Sequence, residues 1–200
     1  MTPAEALTTL LDGNRRYVEE RPRHPRQGAA HRRAVAAGQH PFAIVLGCAD
    51  SRVPPELVFD AGLGDVFVIR SAGNIVDEAI IGSLEYAVAE FHVPLILVLG
   101  HERCGAVRAA VDAEMHVSGE PAAHIGAVVR AIRPAVRAAA APGAPDDDPI
   151  DRVVRANVAL VVDRLRTDEL LLAPAIRAGR LGVVGAYYAL AEGVVSVIVP

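Results

Sequence analysis

The only two cysteines of the chain each follow an apolar run. Cys48 closes FAIVLGC (42–48), and Cys104 comes just after LILVLG (95–100), in the string His101-x-x-Cys104. Thiolate is a soft ligand and imidazole a borderline one, so two thiolates and one imidazole favour Zn2+. His101-x-x-Cys104 has a good chelate spacing for a strand-to-helix turn. Cys104 also opens a helical pattern, CGAVRAAV, and a helix N-terminus lowers a thiol pKa. Only three soft ligands are present. Three protein ligands with an open fourth position is the catalytic pattern for zinc, and four closed ligands is the structural one. The same residues also suit a plainer reading, two buried inert cysteines and a surface histidine. Spacing alone does not separate the two.

Cys48-Ala49-Asp50-Ser51-Arg52 adds a carboxylate and a guanidinium. If the backbone stays extended past Cys48, positions 48, 50 and 52 point the same way. Asp50 then reaches the metal or pairs with Arg52, whose planar fork matches a carboxylate. With Arg52 holding Asp50 the fourth position is open to water; with Asp50 on the metal the site is closed. The alternative is a turn in which Asp50 caps the following segment and Arg52 is solvated.

The elements that must position these residues are legible as alternating patterns. FAIVLGC (42–48), DVFVIRS (65–71), LILVLG (95–100) and LGVVGA (181–186) are strand-length apolar runs, and GVVSVIV (193–199) offers a fifth. Runs without alternation suit strands covered on both faces, as in parallel sheets. Between them, Ile80, Ile81, Leu84, Val88 and Phe91 follow helical spacing, as do Ile150, Val153, Val154, Val158, Val161, Val162 and Leu165. Strand–helix alternation predicts an α/β fold with a mainly parallel central sheet flanked by helices. In such sheets ligands bind beyond the carboxyl ends of strands, where strand order reverses. If the strands ending near Cys48 and His101 are neighbours there, the three ligands meet.

The N-terminus reads as a helix, with Pro3 in its first turn and Leu7, Leu10, Leu11, Asn14 and Val18 at helical spacing. Residues 21–41 read as an arm with a short helix, suited to packing on a partner subunit or to lying solvated, so that 1–41 as a whole is expected to be an N-terminal helical arm packing on the partner subunit. The stretch 134–149, rich in Ala, Pro and Asp, reads as a helix end followed by a surface loop. No repeat or domain boundary is visible, so residues 1–200 are expected to form one domain.

Composition narrows the function. Against 20 basic residues stand 24 acidic ones, a net of −4, which argues against nucleic acid or an anionic membrane as the main partner. With 52% hydrophobic residues the chain is not globally disordered. Uncharged stretches fall well short of the roughly 20 residues of a membrane span. The N-terminal residues do not read as a secretory signal, and two cysteines make no disulfide framework. The expectation is a cytoplasmic, reduced protein.

CADSRV (48–53), GDVFVIRSAGN (64–74), GSLEYAV (82–88) and GHERCGAV (100–107) together resemble the β-class carbonic anhydrases, and GRLGVVGAYYALAEGVV (179–195) extends the likeness to nearly the whole chain. The pairing of C-x-D-S-R with G-H-x-x-C-G is specific. The resemblance implies one zinc per subunit on Cys48, His101 and Cys104, with water or Asp50 as fourth ligand. It implies a catalytic dyad of Asp50 and Arg52, in which Asp50 accepts a hydrogen bond from zinc-bound hydroxide. It implies reversible hydration of CO2 to bicarbonate and a proton. Gln39, Phe67, Tyr86 and Gly105 match substrate-facing positions, Gly105 through its backbone N–H. Part of the family's pocket comes from the partner subunit, so a homodimer or tetramer is expected. Phe67, within a strand, and Tyr86, on an amphipathic helix, can also be read as plain core. Some bacterial members bind bicarbonate at a second site of Trp, Arg and Tyr. Here Arg70 and Tyr188 match, but Val45 stands at the Trp position. Relatives with the same zinc ligands that hydrolyse COS or CS2 are the alternative within enzymes, and a structural zinc protein the alternative outside them.

Overall fold

The computed structural model describes residues 1–115, 123–139, 148–168 and 170–200. Five strands form one sheet: β1 (Ala43–Cys48), β2 (Val66–Ser71), β3 (Leu95–His101), β4 (Gly182–Tyr188) and β5 (Val195–Val199). Their order is β2-β1-β3-β4-β5, with β1 to β4 parallel and β5 antiparallel against β4. The expected α/β architecture is therefore present.

Burial explains why the strands read as unbroken apolar runs. Alternate residues of β1 serve opposite faces: Ile44 and Leu46 enter one core with Ile96 and Val98, and Ala43 and Val45 enter another with Leu97 and Leu99. Each fully buried aliphatic side chain contributes roughly 2 kcal/mol. β2 and β5 are the edges and are less covered. Their apolar sequences resemble those of central strands, yet Ser196 and Val197 of β5 are exposed and Val66 to Val68 are half-buried.

Helix α1 (Pro3–Val18) starts with a capping box in which the Glu5 N–H donates to Thr2 Oγ1 (3.2 Å) and the Thr2 N–H to Glu5 Oε2 (2.7 Å). Its buried face, Ala6, Leu10, Gly13 and Asn14, packs beneath this chain's own sheet. Asn14 donates to the carbonyls of Val58 and Gly193 and accepts from Val195 N–H, which ties α1 to the entrance of β5. A short helix α2 (Ala29–Ala34) and a 3-10 turn, Val35–Ala37, follow on the surface. Between α1 and α2 the chain is fastened by two carboxylates. Asp60 accepts from Arg23 N–H, His24 N–H and the Arg16 guanidinium, and Asp65 takes the Arg26 fork at 2.5 Å on each oxygen. One face of the N-terminal helix is thus part of its own chain's core.

The remaining helices are α3 (Pro55–Val58), α4 (Glu78–Phe91), α5 (Gly105–Glu114), α6 (Ile125–Ala138), α7 (Pro149–Thr167) and α8 (Leu172–Arg177). α7 presses so closely on the sheet that a Cβ at Gly100 would sit 2.6 Å from Val158 and 2.9 Å from Val154. α6 runs through Pro134 to Ala138 because Val129, Ile132 and Ala135 keep its inner face buried. The rest of the expected loop, 140–147, lies outside the described residues. Among the described residues, no helix is long and apolar enough to cross a membrane.

Candidate metal centre

The chain leaves β1 for β2 on one side and arrives at β3 on the other, so strand order reverses between β1 and β3. Gly47 pairs with Leu99, which brings the next residues of each strand, Cys48 and then His101, to the same edge of the sheet. Cys104 follows as the N-cap of α5. The ligand atoms of Cys48, His101 and Cys104 all lie within 4.8 Å of one another, and all three residues are buried. The two sulfurs are 4.0 Å apart. Two thiolates on one tetrahedral zinc, each at about 2.3 Å, would be about 3.8 Å apart.

The donor chemistry fits a metal. His101 Nδ1 is 2.8 Å from the Glu102 carbonyl, an acceptor, so Nδ1 carries the proton and Nε2 presents its lone pair to the site. Nε2 is fully buried without a hydrogen-bond partner. An orphaned lone pair between two thiols is what a metal ligand looks like before the ion is considered. Of the two thiols, Cys48 ionises first: hydrogen bonding from Cys104, aided by the Gly73 N–H, outweighs burial and holds it well below the ordinary thiol value. The hydrogen bond with the Cys48 thiolate, followed by burial, pushes Cys104 up. Burial opposes charge on His101, but the nearby Cys48 and the Glu102 carbonyl reverse this and raise its pKa. A divalent cation would displace these protons.

Asp50 and Arg52 form a pair, but not by strand periodicity. The strand stops at Cys48, and Ser51 and Arg52 turn. Asp50 Oδ1 accepts from Arg52 N–H (2.9 Å) and Nε (2.9 Å), and Oδ2 accepts from Nη2 (2.7 Å). Both sequence readings are therefore half right: Asp50 caps the turn and also holds the guanidinium. The Arg52 side-chain hydrogen bonds keep the Asp50 carboxyl far below the usual carboxylate range, against a smaller opposing effect of burial. Asp50 Oδ2 is 3.9 Å from His101 Nε2, next to the position that three ligands leave open. Gly105, exposed, begins α5 beside Cys104.

The other expected site residues lie elsewhere in the chain. Gln39 lies beside Leu63 and Gly64, just before β2, at the end of the sheet where the parallel β1 starts, and β1 runs about 17 Å from there to Cys48. Phe67 pairs with Ile44, four residues before Cys48, or about 13 Å along the strand. Its ring centroid is 6.5 Å from that of exposed Tyr86 and 6.0 Å from that of Phe91. One chain therefore assembles Cys48, Asp50, Arg52, His101, Cys104 and Gly105, and keeps Gln39, Phe67 and Tyr86 away from them. The matched second-site residues have other engagements. Arg70 donates to the carbonyls of Cys48 (2.8 Å) and Asp50 (2.5 Å), Tyr188 is buried with its hydroxyl 3.4 Å from Tyr17, and Val45 is fully buried. Sequence reasoning missed Gly73, whose N–H donates to Cys48 Sγ, and Asn157, which holds the Gly73 carbonyl. The only signal was the turn string SAGN after β2.

A family model described as carbonic anhydrase matches residues 43–195. Carbonic anhydrase 2 of Mycobacterium tuberculosis is 43% identical over 192 residues, which is 96% of this chain and 90% of the relative. The carbonic anhydrase of Mycolicibacterium smegmatis is 39% identical over 191 residues, 96% of this chain and 91% of the relative. Among solved structures, a Coccomyxa β-carbonic anhydrase in complex with acetazolamide is 32% identical with a TM-score of 0.74, covering 96% of this chain and 86% of that one. With the family match spanning β1 to β4 and all three clustered ligands, the chain belongs to the carbonic anhydrase family, in its β class.

Proposed function

We propose that this protein catalyses the reversible hydration of CO2 to bicarbonate and a proton at one zinc ion per chain, held by Cys48 Sγ, His101 Nε2 and Cys104 Sγ. The observation that carries the proposal is the orphaned, buried His101 Nε2, clustered with two thiols beside a carboxylate that Arg52 holds off. Zinc there would acidify a water molecule and so supply hydroxide near neutral pH. Two thiolates and a neutral imidazole cancel the ion's charge, so this acidification is weaker than with three imidazoles, and activity rises into mildly alkaline pH.

The chain's own residues do the rest. Asp50, kept ionised by Arg52, accepts a hydrogen bond from the attacking oxygen and turns its lone pair toward CO2. The Gly105 N–H at the start of α5 faces the negative charge that develops on bicarbonate. Gln39, Phe67 and Tyr86 are too far from their own metal ligands, so they wall the pocket of a second copy. A homodimer, or a tetramer built from two, is the working unit, with the stretch up to residue 41 reaching the partner. We assign the protein, as one domain, to the cytoplasm, where its thiols stay reduced. The carbonic anhydrase names of the relatives give the COS or CS2 reading no support.

The test is stopped-flow CO2 hydration with zinc content measured on the same sample. Wild type should carry one zinc per chain and be active. Cys104→Ser should lose both, since the only other thiol in the chain is already a ligand.

A further inference from the structure

The two sulfurs differ in their surroundings. Cys104 is the N-cap of α5, at a helix start that leaves its first N–H groups free, and makes no side-chain cap hydrogen bond. Cys48 depends on a distant residue: Gly73 N–H donates to its Sγ at 3.2 Å. Gly73 sits in the 3-10 turn Ala72–Asn74 with φ 66° and ψ 26°. A Cβ there would be 2.7 Å from Ile132 Cδ1 and 3.1 Å from Ala106 Cβ. The position therefore demands glycine, and glycine by itself leaves the flanking peptides free to rotate.

The restraint comes from α7. Asn157, 4% exposed, donates from Nδ2 to the Gly73 carbonyl at 2.9 Å. Cys48 thus holds the peptide entering Gly73, and Asn157 holds the peptide leaving it. We infer that Asn157 is a positioning residue: by holding the Gly73 carbonyl it restricts rotation at Gly73 and so keeps the N–H of the preceding peptide aimed at the Cys48 sulfur, tuning the metal-binding thiolate from a helix that contributes no ligand. The inference rests on the zinc reading above. Partners of this kind commonly change metal affinity by about 10–100-fold.

The experiment compares zinc-loaded wild type, Asn157→Leu and Arg164→Met. Arg164 also lies on α7 and donates to the Val76 carbonyl at 2.8 Å, three residues beyond Gly73, so its loss loosens the same segment without touching the glycine. Chelator competition should show about tenfold or greater loss of zinc affinity in Asn157→Leu and little change in Arg164→Met. In cobalt-substituted protein the sulfur-to-metal charge-transfer band should move to lower energy only in Asn157→Leu, because a thiolate without its N–H donor is more electron-rich. Cadmium-113-loaded wild type should show scalar coupling between the metal and the Gly73 amide proton, a readout that holds if the variant fails to fold. Wild-type affinity and band in a folded Asn157→Leu, or no coupling in wild type, overturns the positioning role. Wild type that binds no zinc would instead overturn the metal reading, and this inference with it.

Discussion

Arg52 holds Asp50 through three hydrogen bonds, one from its backbone N–H at 2.9 Å and two from its guanidinium at 2.9 and 2.7 Å. The same carboxylate is 3.9 Å from His101 Nε2, so it lies between two competing claims, the guanidinium and a metal.

Removing one claimant should favour the other. Arg52→Ala should keep its zinc and lose activity on the order of 10²-fold, because Asp50 moves to the open position and no longer orients the attacking oxygen. Zinc analysis and CO2 hydration on one preparation check this. Normal turnover would mean that Arg52 does not govern Asp50.

The pH profile follows from the same pair. Asp50 is shifted down, so it stays ionised throughout mildly acidic solution, and its protonation cannot explain an acid loss of activity. What declines with pH is the hydroxide competing with Asp50 for the open position. Activity should fall below roughly pH 7 and recover on raising the pH, without zinc release. A crystal at acidic pH should place the Asp50 carboxylate about 2.0–2.2 Å from zinc, and one at alkaline pH should keep it on Arg52. Asp50 on Arg52 at both extremes would leave simple water titration as the cause.

Asp60 supports the fold rather than the chemistry. Burial alone would raise its pKa, but the Arg23 N–H, the Arg16 guanidinium and the His24 N–H bring it below its ordinary value. A depressed carboxyl stabilises the folded state fully above about pH 4, and that contribution fades as the pH falls through the folded value. Asp60→Ala should cost about 3 kcal/mol at pH 7, since it leaves Arg16 and two backbone N–H groups unpaired. Urea unfolding at pH 7 and pH 3 checks both the cost and its shrinkage in acid.

The separation of Gln39 from Cys48 by the length of β1 predicts complementation between copies. Gln39→Ala/Tyr86→Ala protein and Cys104→Ser protein should each be poorly active alone. Unfolded together and refolded as a mixture, they should regain partial activity in mixed oligomers, where one copy supplies the metal and the other the pocket wall. A mixture no better than the sum of its parts would place the whole site within one chain.

Much of this was legible from sequence because burial writes itself into apolar runs. β1 and β3 are covered on both faces and read plainly, and the cysteines at their ends marked the site. The edge strand β5 read like a central strand, since its apolar residues do not reveal that Ser196 and Val197 face outward. The Asp50–Arg52 pair is legible as a pair, but its geometry combines the two readings: a turn closed by the Arg52 N–H joins them, not a shared strand face. Asn157 was invisible because its importance lies in one hydrogen bond to a glycine 84 positions away. No local pattern encodes such a contact.

The central claim is the ligand set, and zinc K-edge X-ray absorption on the purified protein at alkaline pH addresses it most directly. Two sulfur scatterers at about 2.3 Å and two nitrogen or oxygen scatterers at about 2.0–2.1 Å, one of them imidazole, are expected. A shell without sulfur, or with a single sulfur, would contradict that ligand set.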